Sequence, residues 1–333
     1  MRAAVYHGAG RVSLDDVPEP QLPLGGLLID VSVCGICGSD LMNWYQDTKA
    51  PSVLGHEPVG VVMDGEVGEI RPGQRVYVHH HVPCMDCELC RSGRHTLCPN
   101  FRRSRIDPGG LAERVAVPDE IARLDVLPVP DGLSDAAASI IEPLACVLRG
   151  QRMAGVGSGS RIAVVGCGSM GLLEMGAAAA AGAEAVVGVE PRAERRRVAQ
   201  QSGYPALPSP DPDRVAGALG GLADAVFVCT SNPRAIASAL ELAGPGGVVQ
   251  LFAPPAPGTP VALDLGAVWF REVSIQSTYS AGPEDTRAAL GLLSRGGIDG
   301  EALISHRLSL TEVEEAFRLA RSGEALKVLV EID

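Results

Sequence analysis

Between Arg161 and Glu190 the chain runs from a short apolar strand into Gly166-Cys167-Gly168-Ser169-Met170-Gly171 and out into an alanine-rich helix, a junction that few folds accommodate. In such a G-x-G-x-x-G run the first glycine permits a tight turn. The second lets backbone approach a pyrophosphate at the helix N-terminus, and the third lets helix and strand touch. Ile162-Ala163-Val164-Val165 supplies the strand, and Glu190 ends the following one, where a carboxylate can accept hydrogen bonds from the ribose hydroxyls of a dinucleotide. The alternation continues. Strands are predicted over 161–165, 185–189, 225–229 and 247–252, and helices over about 170–181, 192–201 and 233–242. Strands alternating with helices of about ten residues predict a parallel doubly wound sheet. The Gly155-Val156-Gly157-Ser158-Gly159 run precedes the first strand and reads as a loop.

Residues 1–120 have a different grammar, with short apolar runs such as 27–33 and 59–62 broken by glycine and proline, which predict strands at turn spacing. A chain of 333 residues with 46% apolar content exceeds one ordinary core, so two domains are expected. The boundaries fall at 1–145, with a lobe at about 80–100, and at 146–275, and the segment 276–333 is expected to rejoin the first domain. No run of 18 apolar residues exists, and Met1-Arg2-Ala3-Ala4-Val5-Tyr6-His7 lacks the pattern of a secretory signal, so a cytoplasmic protein is expected. A formal charge of −12 argues against nucleic acid as a partner. Arginine is abundant, whereas Lys49 and Lys327 are the only lysines.

Nine cysteines, an odd number, point to thiolate ligation in a reducing compartment more than to a disulfide framework. Cys84, Cys87, Cys90 and Cys98 form a C-x2-C-x2-C-x7-C array, enough sulfur to close a tetrahedral zinc shell and build a structural lobe. Upstream, Cys37, His56 and Glu57 form a separate set whose three ligand types suit zinc and leave a coordination position open for chemistry. His79, His80 and His81 follow the strand-like stretch 75–78. Successive strand side chains point to opposite faces, so the three are not expected to converge on one ion. Cys34, Cys146 and Cys229 read most simply as packing residues.

In Cys37-Gly38-Ser39-Asp40, Gly55-His56-Glu57-x-x-Gly60, Pro72-Gly73-Gln74-Arg75-Val76, the four-cysteine lobe, Gly109-Gly110-Leu111-Ala112-Glu113, Ile141-Glu142-Pro143-Leu144, the glycine fingerprint, Arg271-Glu272-Val273 and Ile304-Ser305-His306-Arg307, the chain resembles the zinc-dependent medium-chain dehydrogenase/reductase family. Within it, the likeness is to the branch of sorbitol, other polyol, cyclitol and threonine dehydrogenases, and it runs from Met1 to Asp333. The resemblance implies a β-rich GroES-like catalytic domain joined to a Rossmann-type domain. It implies two zinc ions per chain. The catalytic one would lie on Cys37, His56 and Glu57, with Glu142 approaching directly or through water, and the structural one on the four cysteines. By the same resemblance, zinc polarises a substrate hydroxyl, hydride passes to the nicotinamide, and Ser39 takes the alcohol proton.

The cofactor contacts are then Gly166, Gly168, Ser169, Met170, Gly171, Glu190, Arg195, and Cys229 with Thr230. Glu190 would repel the extra 2′-phosphate of NADP and favour NAD, although Arg192, Arg195, Arg196 and Arg197 crowd the same turn. The expected substrate carries a secondary hydroxyl in a polyol, sugar or cyclitol, approached by Ser39, Trp44, Tyr45, Glu142 and Tyr279. Threonine or another amino alcohol is the alternative within the family, an aminocyclitol lies between the two, and a non-catalytic nucleotide-binding relative is the alternative outside it. A homo-oligomer, dimer or tetramer, is expected. Three departures stand out. Met42 replaces a histidine that relays protons in many relatives, Ser280 and Ala281 replace an Arg-Tyr pair that grips hydroxyls in sorbitol dehydrogenases, and the stretch 61–68 is shorter than usual.

Overall fold

A computed structural model describes residues 1–332. The chain forms two compact units, Met1–Ala145 with Ser280–Asp333, and Cys146–Tyr279.

The second unit is a six-stranded, all-parallel sheet whose spatial order is Ala206–Leu207, Ala185–Val189, Arg161–Val165, Ala223–Val228, Ala243–Leu251, Ser274–Ser277. Numbered along the chain this is 3-2-1-4-5-6, the doubly wound order in which the strand order reverses beside the first strand. Strand Arg161–Val165 is apolar and buried almost throughout, as a central strand covered on both faces must be. The helix Ser169–Ala180 follows it. Gly171 lies in its first turn, where a Cβ would run into the carbonyl of Gly166, so only glycine allows this closeness of helix and strand. Helices Pro212–Leu219 and Pro233–Leu242 start at Asp211 and Asn232, each accepting a bond from a backbone amide and each followed by proline.

Three of the predicted elements, the strands Arg161–Val165 and Ala185–Val189 and the helix Pro233–Leu242, occur with the expected limits. The two edge strands were not anticipated. Ala206–Leu207 is two residues long, and Ser274–Ser277 is mostly polar, so neither carries an apolar run.

In the first unit a sheet runs in the order Ile304–Ser309, Lys327–Glu331, Leu27–Gly35, Pro58–Asp64, Arg75–Val78, Val126–Pro128, with Arg114–Val117 also pairing with Leu27–Gly35. A smaller sheet joins Arg11–Asp16, Arg2–Gly8 and Ser52–Val53. The core gathers Tyr6, Leu27, Ile29, Val62, Val76 and Phe317, with Cys34 fully buried among them. The last strand, Lys327–Glu331, inserts antiparallel beside Leu27–Gly35 and so carries the C-terminal segment into the centre of this unit. The stretch 61–68 is short because Pro58–Asp64 runs directly to a tight return, in which Val67 and Ile70 exchange backbone hydrogen bonds.

Candidate active site

The four cysteines come together in a lobe of short helices, Glu88–Arg91, His95–Leu97 and Pro99–Arg103, packed on Phe101. Sulfur separations are 3.5 Å for Cys84–Cys98, 3.5 Å for Cys87–Cys90 and 3.9 Å for Cys84–Cys90. A zinc ion with bonds of about 2.3 Å would set tetrahedral edges of about 3.8 Å, so the array fits that ion with little adjustment. Backbone amides already favour thiolate. The amide of Cys84 donates to Cys98 Sγ at 3.3 Å, and that of Cys87 to Cys84 Sγ at 3.4 Å. Burial resists ionisation at Cys98, but the amides of Cys84, Asn100 and Phe101 outweigh it and bring the thiol down to about 6.

Cys37, His56 and Glu57 present ligand atoms within 4.8 Å of one another. Strand register explains how residues so far apart meet. Pairing of Cys34 with Pro58 places the chain leaving Leu27–Gly35 beside the turn entering Pro58–Asp64. Cys37 then opens the short helix Gly38–Leu41, whose Asp40 is buried. Asp40 accepts from the Cys37 amide at 2.9 Å and faces His56 Nδ1 at 3.3 Å, which orients the imidazole and leaves Nε2 for a metal. Burial disfavours an imidazolium at His56, yet Asp40 and Cys37 hold its pKa well above the usual value. Surroundings that attract a proton this strongly also attract a metal cation.

Glu57 has a partner that the sequence reading missed. Lys327 Nζ lies 2.7 Å from Oε1 and 2.5 Å from Oε2, with the two side chains 5% and 0% exposed. Burial opposes the ammonium, but the carboxylate of Glu57 first, and Cys37 after it, raises the lysine's pKa. A Cβ at Gly35 would collide with the Glu57 carboxylate and the Lys327 stem, so that glycine makes room for the pair. The available signal was compositional, since a lysine in a chain that otherwise relies on arginine stands within the apolar run of the last strand.

The three histidines do not come together on one point, as expected, but the reason is not strand alternation. Strand Arg75–Val78 ends before them, so strand alternation does not govern their side chains. His79, His80 and Glu142 bring ligand atoms within 4.8 Å of one another, while His81 turns away and donates through Nδ1 to the Ser104 carbonyl. Glu142, in the first turn of the helix Ile141–Met153, therefore groups with these histidines, although its charge reaches Glu57 and Lys327. The His80 and His56 rings lie 5.0 Å apart, which makes the two groups neighbours. Ser39 is half-buried one turn beyond Cys37, and its carbonyl accepts from Gln46 Nε2 at 2.9 Å. Trp44 and Tyr45 follow on the next helix with ring centroids 5.9 Å apart, and the Lys49 ammonium sits 3.6 Å over the Tyr45 ring.

In the second unit Gly166 has φ 99°, the conformation the tight turn demands, and faces the Cys229 backbone. Gly168, Ser169 and Met170 continue the turn into the helix, and Thr230 follows Cys229 at the neighbouring strand end. Glu190 is buried. Its carboxylate accepts from the amides of Cys167 at 3.1 Å and Arg192 at 2.9 Å, which ties the second strand end to the glycine turn. Arg196 is spent on the carbonyls of Glu190 and Pro191, whereas the Arg195 guanidinium lies 3.6 Å from where a Gly168 Cβ would be.

The sequence model of the alcohol dehydrogenase GroES-like domain matches residues 24–131, and that of the zinc-binding dehydrogenase domain matches 169–295. An L-threonine 3-dehydrogenase of Bacillus subtilis is 34% identical, the alignment covering 97% of this chain and 96% of that one. A sorbitol dehydrogenase of Bombyx mori is 30% identical over 99% and 98%. Among solved structures, an alcohol dehydrogenase from Thermus sp. ATN1 superposes with a TM-score of 0.88 at 28% identity, covering 100% of both chains. A zinc-binding dehydrogenase structure from Sinorhizobium meliloti, bound to NADP, gives 0.87 at 30% identity over 99% and 98%. The chain belongs to the zinc-dependent medium-chain dehydrogenase family, as an enzyme that oxidises hydroxyl groups with a nicotinamide cofactor.

Proposed function

We propose that the protein transfers hydride between a secondary hydroxyl of a polyol, sugar or cyclitol and NAD, at a catalytic zinc held by Cys37, His56 and Glu57. The convergence of these three side chains around an oriented imidazole carries the reading. Bound there, zinc supplies Lewis acidity to the substrate hydroxyl. Asp40 fixes the His56 ring and the Cys37 backbone, and Lys327 balances the Glu57 charge. Ser39 is the hydroxyl that accepts the substrate proton, and Glu142 supplies a further carboxylate at the same pocket. Met42 has no exchangeable proton, so the outward path beyond Ser39 does not pass through it. A second zinc on Cys84, Cys87, Cys90 and Cys98 closes the lobe.

NAD is the proposed cofactor because the Glu190 carboxylate ends the second strand and repels a 2′-phosphate. Arg195 is the residue placed to weaken that preference. The ratio of kcat/KM for NAD⁺ and NADP⁺ decides it, and parity or an NADP⁺ preference overturns it. We place the protein in the reducing cytoplasm, where its thiolates stay reduced; among the described residues no helix is long and apolar enough to cross a membrane. We also infer a homo-oligomer. The helix Leu265–Trp269 buries none of its residues, and Trp269 and Phe270, 78% and 91% exposed, precede in the chain the edge strand Ser274–Ser277, where a second copy would extend the sheet.

The substrate test is a panel of inositols, aminocyclitols, sorbitol, xylitol, threonine and ethanol, run with wild type and Cys37→Ala. A site built to bond a hydroxyl rejects an analogue lacking it by about 10⁴-fold, so loss of neighbouring hydroxyls should lower kcat/KM sharply. Cys37→Ala should remain folded, bind cofactor and lose turnover. The Bacillus subtilis relative favours threonine as the second reading. Best turnover of ethanol would overturn the polyol reading, and an active Cys37→Ala would overturn the zinc site.

A further inference from the structure

We propose that His79, His80 and Glu142 bind a second divalent transition-metal ion in the same pocket as the Cys37, His56 and Glu57 group. The three ligand atoms lie within 4.8 Å of one another, and the two ligand sets share no residue.

His79 is built as a ligand is built. Its ring is fully buried, and Nδ1 meets Asp125 Oδ2 at 2.8 Å. Asp125 is itself buried at the end of the helix Asp119–Asp125. It receives the Thr286 hydroxyl at 2.5 Å on its other oxygen and the His79 amide at 3.1 Å on its carbonyl. A carboxylate held from two sides fixes the proton on Nδ1 and leaves a lone pair on Nε2, the arrangement found behind metal-bound imidazoles. That Nε2 atom is buried and has no hydrogen-bond partner among the described residues, and neither has His80 Nδ1. Leaving a buried polar atom unmet costs about 1–3 kcal/mol, so two such atoms in adjacent residues beside a buried carboxylate need a further partner.

The chemistry of the set defines that partner. Two imidazoles and one carboxylate suit zinc, iron(II), cobalt(II) or manganese(II), and leave positions open for oxygen ligands. Tetrahedral ligation by nitrogen and oxygen sets edges of about 3.3 Å, so the ion draws the three side chains inward from their present spread. His80 stacks obliquely on His56 with centroids 5.0 Å apart, which makes the two ions neighbours. Two cations in one pocket give adjacent substrate oxygens two points of attachment. This extension to substrate rests on the polyol reading above; the metal site does not.

The experiment is metal analysis and native mass spectrometry of the full-length protein after zinc loading and exhaustive dialysis, repeated with His79→Gln, His80→Ala and Cys37→Ala. Wild type should hold three zinc equivalents. His80→Ala, at a half-buried position, should hold two and keep the circular dichroism and melting of wild type, and His79→Gln should match it if it folds. Cobalt(II) titration separates the sites. The equivalent lost in His80→Ala should show ligand-field absorption without a thiolate charge-transfer band, whereas the one lost in Cys37→Ala should show both. A wild type that never exceeds two equivalents overturns the proposal, and so does a third equivalent that survives in His80→Ala, which reports surface binding. Loss of the Cys37 equivalent alone would instead strike the catalytic site, so the two readings fail separately.

Discussion

The four-cysteine lobe and the Cys37 pocket both collect metal-binding side chains in one unit, yet they are assembled in opposite ways. In the lobe every ligand comes from the stretch 84–98, and the groups that tune the sulfurs are amides of 84–101, within or just beyond it. In the pocket the functional groups arrive from 37–40, 56–57, 79–80, 142 and 327, brought together by the register of three adjacent strands and by one helix start. A closed site can be written locally because its chemistry ends with its ligands. An open site must leave room for substrate, so its orienting and balancing charges come from distant chain.

The sharpest way to break this comparison is Cys98→Ser. A closed thiolate shell contributes folding energy directly, on the order of 10 kcal/mol in isolated zinc-finger peptides, so losing one ligand should release that zinc and unfold the lobe. Limited proteolysis should cut within 84–103, and metal analysis should show one equivalent fewer with the Cys37 equivalent retained. A variant that keeps its zinc and wild-type melting would show that the lobe is held by packing on Phe101 instead.

Lys327→Met probes the pocket's dependence on distant chain. It strands the Glu57 carboxylate at a fully buried position, and breaking a buried ion pair costs about 3–5 kcal/mol. That cost should appear in denaturant melts of metal-stripped protein and shrink after zinc loading, because the ion supplies a counter-charge. Adding Glu57→Gln to Lys327→Met should recover part of the loss in the stripped state. If Lys327→Met is equally mild in both states and the double variant is no better, the pair is not what balances the pocket.

The sequence was legible where spacing alone carries chemistry. The cysteine array, the glycine turn and the strand–helix alternation are short-range patterns, and the parallel sheet and the lobe follow from them. Cys37, His56 and Glu57 were legible as ligand types, and their convergence waited on the pairing of Cys34 with Pro58. Lys327 was illegible as a partner, because nothing near residue 327 announces that the last strand lies beside Gly35. The histidine triplet does not share one ion, as expected, but the strand period invoked for it stops at Val78, and the grouping of His79 and His80 with Glu142 was illegible. That Glu190 also accepts from the amides of Cys167 and Arg192 was not legible in the sequence.

The smallest expected effect uses a carboxylate that lacks what Glu57 has. Glu174, fully buried in the second unit, receives only Gln151 Nε2, at 2.8 Å on Oε2, and its Oε1 has no partner among the described residues. Burial therefore prevails over that one hydrogen bond and raises the carboxyl's pKa well above its ordinary range. The sign follows from linkage, since the folded state keeps a proton that the unfolded chain gives up above about pH 4.3. Stability from this group is complete below that value and is lost as pH rises towards the folded pKa, at up to about 1.4 kcal/mol per pH unit. Glu174→Gln keeps the shape, retains an acceptor for Gln151 and cannot ionise. Melting temperatures of the variant should therefore hold steady between about pH 5 and 8 where wild type declines, with a gap of about 2–4 °C for each kcal/mol. Parallel profiles would mean that Glu174 is ionised in the fold and that the second unit, like the pocket, has found it a counter-charge.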